Sequence, residues 1–441
     1  MNTGQWIAER VTRLRPAPTG ARSTDERLKA RLRQPEEALS PRQLRQRLDE
    51  LKAVVDPLVS EVEGGRRAQG VMDWYAKAAP GERHDLWLLM SERFMADPQK
   101  VKKAQGEYLS AVGTPDEAAA EVRYRRATVS PRRRLLQRFS AHPGGIRFLV
   151  DLRAELQTAL RHDARLQALD VEMEYMFSTW FDVGFLELRR ISWDSPASLV
   201  EKLIQYEAVH DIRSWADVKN RLDSDRRCYG FFHPSLPGEP LIFVEVALVN
   251  EMAGSITPLL DESAAPVDLS RATTAIFYSI SNTQVGLRGV SFGDSLIKHV
   301  VDTLKAEFPR LRTFATLSPI PGLRAWLGKN APAELLKAWE NHAALDPDSP
   351  EGKALMQWTA RYLGRELRDG KPIDPVARFH LGNGARVEHL HWAADPSVKG
   401  SRQSYGLMVN YLYDLRRLDK HRAMLAAGQI PIGGAIEALY R

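Results

Sequence analysis

The sequence has 441 residues, of which 44% are hydrophobic and 27% are charged, a balance typical of a soluble globular protein rather than a disordered or fibrous one. The net charge of +6 is a mild basic bias, which suits a phosphorylated ligand better than a nucleic-acid coat. A single cysteine, Cys228, excludes an internal disulfide and a thiolate metal site, and it indicates a reducing compartment.

No segment of the sequence predicts a membrane span or a targeting peptide. The strongest apolar run, residues 241–249, is far shorter than the roughly 20 residues that cross a bilayer, and Glu245 interrupts it. The N-terminus lacks the apolar stretch of a secretory signal, and Glu9, Asp25 and Glu26 argue against an organellar transit peptide. The C-terminal ALYR is not a peroxisomal address. We therefore expect a cytoplasmic protein with no membrane partner.

The first part of the chain predicts helices. Residues 1–39 contain the stretch RPAPTGARS and are expected to form a flexible arm. Ser40 and Pro41 mark a helix start, with the serine as N-cap and the proline at the first helical position. From there to residue 178 the apolar spacing is helical and predicts about seven helices. We predict an all-helical domain over residues 40–178 that serves oligomerisation.

The second part of the chain predicts a mixture of strands and helices. β-branched and aromatic runs bounded by Gly, Pro and Asn predict strands around Cys228, at 241–249 and at 273–282. Residues 293–308 are amphipathic and predict a helix, and LRTFATLS after it predicts a further strand. Residues 179–441 are therefore expected to form a mixed α/β domain.

A glycine-bearing loop joins the predicted strand at 273–282 to the helix that follows. It contains Gly286, Gly289 and Gly293, and glycines let a backbone approach a phosphate that the N-terminus of a helix attracts. Arg288 within the loop favours the same interpretation. The spacing matches neither G-x-G-x-x-G nor a phosphate loop ending in Gly-Lys-Ser/Thr, and glycines before a helix are more often simple turn residues.

The loop resembles the acyl-CoA loop of GNAT-type acetyltransferases, which holds the pyrophosphate of coenzyme A. Longer blocks are similar to the malonyl-CoA decarboxylase family in sequence and in order: FFHPSLPGEPLIFVEVALV, AIFYSISNTQVGLRGV, LIKHVV, EFPRLRTFATLSPIPGLRAWL, PVARFHLGNGA and SYGLMVNYLY. The resemblance implies an α+β, multi-domain protein, with an all-helical N-terminal domain and a GNAT-like catalytic domain over 179–441. It implies a carboxy-lyase of fatty acid metabolism that converts malonyl-CoA to acetyl-CoA and CO₂. Coenzyme A is then part of the substrate, and no separate cofactor or metal is expected.

The resemblance also implies the site residues. It places a catalytic serine at Ser318 in the S-P-I-P-G block, a histidine at His380 in F-H-L-x-N-G-A, and a tyrosine at Tyr413 in N-Y-x-Y. Some family members carry a glutamate where this chain has Ser291, so an essential carboxylate at that position is in doubt here. The implied pyrophosphate loop consists of Arg288, Gly289, Val290, Ser291, Phe292, Gly293 and Asp294.

The proposed reaction explains why a Ser/His pair is needed. Loss of CO₂ leaves electrons that spread onto the thioester oxygen as an enolate, so a catalyst needs a donor for that oxygen and a proton for the carbon. Ser318 and His380 would supply both, with the imidazole exchanging protons near neutral pH. Without the resemblance, the sequence favours Ser318 as a cap of the short helix after Pro319 and His380 as a structural residue in a strand–loop region.

Two other classes of function stay open at this stage. A GNAT-type N-acyltransferase would pass an acyl group from coenzyme A to an amine, and a scaffold protein would keep an inactive acyl-CoA domain. His389 and His391 share one face of a predicted strand but have no third ligand at a recognisable spacing, so we expect a packing or surface role rather than metal binding. The basic run SPRRRLLQRF is expected to form a solvated face or a subunit contact, and we expect a dimer or tetramer without nucleic acid.

Overall fold

The computed structural model describes residues 22–35, 37–290 and 296–440 of the chain. It divides the chain into two units. The helical unit consists of Met1–Asp182, Pro234–Pro237 and Gln284–Ser291, and the sheet unit consists of Val183–His233, Gly238–Thr283 and Phe292–Arg441.

The described part of the helical unit is built from helices, as the apolar spacing predicts. Its elements are α1 (Thr24–Lys29), α2 (Pro41–Val54), α3 (Glu61–Lys77), α4 (Pro80–Glu92), α5 (Pro98–Ala111), α6 (Glu117–Thr128), α7 (Pro131–Ser140), α8 (Gly145–Ala159) and α9 (Gln167–Trp180). Ser40 caps α2 by accepting a hydrogen bond from the Gln43 N–H, and Pro41 occupies the first turn.

Part of the predicted flexible arm is folded. Helix α1 lies within it, and Ser23 caps this helix in a capping box with Glu26. The Arg27 guanidinium of α1 is buried and pairs with Asp85 at 2.6 Å. Residues 1–21 of the arm lie outside the described residues.

The sheet unit follows with a mixed sheet and further helices, which confirms the predicted order of a helical region and then a mixed α/β region. The strands are β1 (Glu187–Ile191), β2 (Arg226–Phe232), β3 (Pro240–Val249), β4 (Thr274–Asn282), β5 (Thr313–Thr316), β6 (Ser318–Pro319), β7 (Leu367–Arg368), β8 (Lys371–Pro372), β9 (Arg386–His391) and β10 (Met408–Leu412). The helices are α10 (Ala197–Tyr206), α11 (Trp215–Arg221), α12 (Thr257–Leu260), α13 (Leu296–Glu307), α14 (Leu323–Asn330), α15 (Ala333–Trp339), α16 (Pro350–Gly364), α17 (Pro375–Gly382), α18 (Val398–Ser404), α19 (Leu418–Ala426) and α20 (Gly434–Ala438).

The main sheet has 8 strands among the described residues, in the order β1-β2-β3-β4-β5-β10-β6, with β9 paired to β10. Strands β2 and β3 are buried on both faces along nearly their whole length, as their apolar runs predict. One of the apolar clusters on the sheet contains Cys228 with Ile191, Leu203 and Phe243. Burial raises the pKa of the Cys228 thiol well above its ordinary value, so this thiol is kept protonated and unreactive.

The pairing of β4 with β5 ends part-way along β4. Residues 274–277 pair in parallel with 313–316, and the Leu317 N–H donates to the Phe277 carbonyl at 3.0 Å. Beyond that point β4 continues to Asn282 with β3 as its partner, and no described backbone hydrogen bond joins residues 279–282 to β5. The sheet is therefore open on one side of β4, immediately before the glycine-bearing loop.

Candidate active site

Ser318 lies on the short strand β6, which follows β5 after one residue and pairs with β10 opposite Val409. Its hydroxyl donates to Oγ1 of Thr316 at 2.8 Å, and its oxygen lies 3.3 Å from Nε2 of His380. The helix that follows is capped by Gly322 rather than by the serine. The alternative of Ser318 as a helix cap is therefore wrong, because its hydroxyl faces a buried histidine.

His380 lies in the last turn of helix α17, not in a strand–loop region as the sequence predicted. Asp374 caps this helix by accepting hydrogen bonds from the N–H groups of Val376 and Ala377, and a proline occupies the first turn. The same carboxylate accepts the Gly322 N–H at 3.2 Å. Asp374 thus ties the helix that carries His380 to the S-P-I-P-G segment that carries Ser318.

Tyr413 completes a chain of three side chains. Its hydroxyl oxygen lies 2.7 Å from Nδ1 of His380, on the opposite edge of the ring from Ser318. The ring of Tyr411 stacks on the imidazole, with 4.7 Å between ring centroids. Ser318, His380 and Tyr413 are all at most 5% exposed. The structure therefore brings together the three predicted catalytic residues.

Burial controls the ionisation of this site. It lowers the pKa of His380 to about 3, so the imidazole is neutral in the neutral pH range. It also raises the pKa of the Tyr413 hydroxyl well above its ordinary value. The expectation that His380 titrates near neutral pH is wrong, because folding buries the ring beside the aromatic side chains of Tyr411 and Tyr413, which the sequence does not show. The site offers neutral hydrogen-bond donors.

Sequence reasoning missed two further side chains at the site. Oγ1 of Thr316 accepts both the Ser318 hydroxyl and the Tyr411 N–H, the latter at 3.1 Å, so it fixes the serine against β10. Alternation along an extended segment could have indicated Thr316, which lies two residues before Ser318 and so shares its face. Tyr411 likewise lies two residues before Tyr413, so the same alternation could have indicated it.

Part of the predicted coenzyme A loop is described. Arg288 and Gly289 are exposed and Val290 is buried, and Gly289 has a φ of +83°, a conformation that favours glycine. The remaining predicted loop residues, Ser291, Phe292, Gly293 and Asp294, lie outside the described residues.

The two histidines of β9 lie beside each other, and one of them contacts the neighbouring strand β10. The rings of His389 and His391 lie 6.2 Å apart, and Nε2 of His391 contacts Oδ1 of Asn410. Within residues 22–35, 37–290 and 296–440, no group of three or more His, Cys, Asp or Glu side chains could hold a metal ion. Asn410 in turn donates to the Thr316 carbonyl at 2.7 Å, so this histidine packs behind the strand that leads to Ser318.

Models of known protein families match residues in both units of the chain. Residues 184–441 match the family model of the malonyl-CoA decarboxylase C-terminal domain, and residues 94–181 match that of the N-terminal domain. The chain belongs to the malonyl-CoA decarboxylase family. It is a carboxy-lyase by that membership.

Individual relatives agree over most of their length. Mitochondrial malonyl-CoA decarboxylase of Anser anser anser is 36% identical over 395 residues, which cover 79% of this chain and 78% of the relative. The mitochondrial enzyme of Mus musculus is 36% identical over 393 residues, with 80% of each chain covered. No helix in the described residues is long and apolar enough to cross a membrane.

Solved structures share the fold. The crystal structure of malonyl-CoA decarboxylase from Rhodopseudomonas palustris has a TM-score of 0.79 and 38% identity, covering 90% of this chain and 99% of that one. The enzyme from Cupriavidus metallidurans has a TM-score of 0.71 and 41% identity, with 90% and 100% covered.

Proposed function

We propose that this chain decarboxylates malonyl-CoA to acetyl-CoA and CO₂, using Ser318 and His380 on the reacting thioester. The observation that carries the proposal is the buried chain of hydrogen bonds from Tyr413 through His380 to Ser318, in a member of this family. The bond between the carboxylate and the α-carbon breaks, CO₂ leaves, and the electron pair spreads onto the thioester oxygen as an enolate. The α-carbon then takes one proton, which solvent replaces.

The hydrogen-bond donors at the site suit an enolate. Among the described residues, Nδ1 of His380 is the partner of the Tyr413 hydroxyl, so this buried O–H is satisfied by donating to Nδ1. The ring proton then resides on Nε2 and faces Ser318, whose hydroxyl points to Thr316. The Nε2–H and the serine O–H are two adjacent neutral donors, and they would turn from these partners to the thioester oxygen when substrate binds. In a buried site such donors stabilise a developing oxyanion strongly, because water does not compete.

A neutral pair also leaves the departing carboxylate without an ionic partner. His380 is neutral because burial lowers its pKa. A cation at this point would stabilise the ground-state carboxylate as much as the transition state, and such uniform binding does not raise kcat. The Ser318–His380 pair instead acts on charge that develops only when the carbon–carbon bond breaks.

The pyrophosphate of the substrate's coenzyme A part would bind at the glycine-bearing loop. Gly289 and the exposed Arg288 offer a backbone N–H and a guanidinium to the pyrophosphate. In the sheet unit, residues 279–282 pair with β3 on one side only, and their backbone groups on the other side offer hydrogen bonds to the amides of the pantetheine arm, as a strand edge does for a peptide.

Assay of the purified protein with malonyl-CoA alone tests the proposed reaction. Acetyl-CoA and CO₂ in equal amounts, with no acceptor present, are the expected products. Turnover that depends on an added amine would establish the GNAT-type N-acyltransferase instead. Binding of malonyl-CoA without turnover would establish a scaffold.

The helical unit would also assemble the protein into a homo-oligomer in the cytoplasm. In the paired helices α5 and α6, which are fully described, Ala104 and Ala120 are the buried residues. Leu109 is 65% exposed and Val122 is 47% exposed, so this hairpin presents apolar surface that a second copy can cover. Light scattering should show a dimer or tetramer, and an active, strict monomer over the micromolar range would contradict the proposal.

A further inference from the structure

A buried arginine of the helical unit holds the backbone of the glycine-bearing loop. Arg153 lies on α8 and is 1% exposed. Its Nη1 donates to the carbonyl of Gly286 at 2.8 Å and to the carbonyl of Arg288 at 3.0 Å. One side chain therefore fixes two alternate peptide groups of the loop.

The charge of Arg153 is compensated within the same unit. Its Nε donates to Asp170 at 2.8 Å, and its Nη2 lies 3.4 Å from a carboxylate oxygen of Glu174. These carboxylates neutralise the positive charge of the guanidinium, so Arg153 is not expected to bind an anion directly. It acts on the loop through the two carbonyl groups, since a planar guanidinium can serve several acceptors in a fixed geometry.

Close backbone packing reinforces this contact. A Cβ atom on Gly286 would lie 1.9 Å from the Val150 carbonyl oxygen of α8. The loop backbone therefore lies directly on the helix at this position, which only glycine allows. Arg153 and Gly286 together set the distance and the orientation of the loop.

The geometry of the Arg288–Gly289 peptide determines the direction in which the Gly289 N–H points. The carbonyl of Arg288 points toward Arg153. In a planar trans peptide the following N–H points the opposite way, so the Gly289 N–H faces away from the arginine. This N–H has no hydrogen-bond partner among the described residues, and Gly289 is exposed. A backbone N–H held outward beside an exposed arginine is suited to a phosphate oxygen.

We propose that Arg153 is a positioning residue for the pyrophosphate of coenzyme A: it turns the Arg288–Gly289 peptide so that its N–H faces the ligand. This proposal rests on the proposed function, because it takes the described segment Arg288–Gly289 to contact the pyrophosphate of coenzyme A. It gives the helical unit a role in substrate binding besides assembly. Arg153 does not touch the reacting thioester and so affects KM rather than kcat.

Two substrates separate this role from a purely structural one. Malonyl-CoA carries the pyrophosphate, whereas malonyl-pantetheine lacks both phosphates and the adenosine. In Arg153→Lys one ammonium cannot serve both carbonyls and both carboxylates. We expect KM for malonyl-CoA to rise about tenfold, roughly the effect of one lost hydrogen bond to a charged donor, with kcat little changed. The kcat/KM for malonyl-pantetheine should equal that of the wild type.

Arg132→Lys is the matched control. Arg132 is another buried arginine of the helical unit, and it donates to the Ala168 carbonyl at 2.8 Å, away from the loop. The Arg132→Lys variant should keep the wild-type KM for malonyl-CoA and for malonyl-pantetheine. Equal losses on both substrates in Arg153→Lys, or no loss on either, would overturn the proposal.

A second variant covers the case in which Arg153→Lys does not fold. Arg153→Gln combined with Asp170→Asn removes the buried charge together with its first partner, and it should show the same selective loss. Failure of both variants to fold would contradict the proposal, since the arginine would then support the whole unit. Calorimetric titration of coenzyme A decides the positioning role even if the wild-type protein releases no CO₂ from malonyl-CoA. An unchanged Kd in a folded variant would refute that role independently of the reaction.

Discussion

The Tyr413 hydroxyl oxygen lies 2.7 Å from Nδ1 of His380, and burial holds that imidazole neutral. In the proposed mechanism the phenol donates to Nδ1 and so keeps the ring proton on Nε2. In Tyr413→Phe this control is lost, and kcat should fall about 100-fold, at the lower end of effects for proton-transfer groups, with KM for malonyl-CoA nearly unchanged. Steady-state kinetics measure both constants.

Tyr411→Phe is the control for that variant. The Tyr411 hydroxyl is buried without a hydrogen-bond partner among the described residues, while its ring stacks on His380. Its removal keeps the stacked ring and should change kcat by less than about threefold, since no hydrogen bond is lost. Equal effects of the two substitutions would show that Tyr413 does not act through its hydroxyl.

Thr316 is expected to orient the Ser318 hydroxyl. In Thr316→Val the serine and the buried Tyr411 N–H both lose their acceptor. We expect kcat to fall about tenfold, or about 1.4 kcal/mol, and the free energy of unfolding to fall by about 1–3 kcal/mol for the unsatisfied buried donor. Thr316→Ser keeps the hydroxyl and should retain most of the activity. A fully active valine variant would remove Thr316 from the site.

The pKa of His380 predicts a specific pH dependence of stability. The unfolded ring binds a proton below its ordinary pKa of 6.5, whereas the folded ring does so only near its lowered pKa of about 3. Stability is therefore lost as the pH falls from 6.5 toward 3, by about 2 kcal/mol between pH 7 and pH 5 for this one group. His380→Gln should lose less stability over the same range, as urea unfolding would measure.

The lowered pKa of His380 also predicts how kcat depends on pH. Because the ring is already neutral at pH 6, its ionisation gives kcat no rise between pH 6 and pH 8. A rise in kcat with an apparent pKa near 6.5 that disappears in His380→Gln would show that the ring titrates in the neutral range after all.

The loop prediction concerns substrate binding. In Gly289→Val a β-branched residue is forced to a φ of +83°, which only glycine adopts easily, and its Cβ would lie 3.6 Å from a carboxylate oxygen of Glu174. The strained backbone would then no longer hold the Gly289 N–H in place for the pyrophosphate. We expect KM for malonyl-CoA to rise by about tenfold or more, with a smaller change in kcat. Gly238→Val is the control, since that glycine has a φ of +70° with open space around it. Wild-type affinity of Gly289→Val for coenzyme A would show that the loop placement is wrong.

Much of the architecture was accessible from local sequence signals. The capping serine before Pro41 and the apolar runs of β3 and β4 act over a few residues, and the structure shows the predicted elements there. From the sequence, His380 is predicted to lie in a strand–loop region, whereas the structure has a helix there. Asp374 and the proline after it form a recognisable helix start. The segment is short, and its apolar residues fit a strand as well as a helix.

The electrostatics of the site could not be predicted in the same way. Ser318 and His380 are 62 residues apart in the sequence, and their approach depends on β10 pairing with β6 and on the Asp374 contact to Gly322. Burial of the ring, which sets its pKa, is a property of that tertiary packing. The attachment of the loop to α8 through Arg153 is likewise a long-range contact that no local pattern indicates.

The most direct test of the central claim is kcat with malonyl-CoA alone for four proteins: the wild type, Ser318→Ala, His380→Ala and the double variant. Each single variant should lose about 100- to 10,000-fold in kcat, the usual effect of removing a general acid, while its affinity for coenzyme A stays near that of the wild type. Because the two side chains act as a unit, the double variant should be little worse than the poorer single variant. A single variant that keeps more than about a tenth of the wild-type kcat, or losses that multiply in the double variant, would contradict a Ser318–His380 pair.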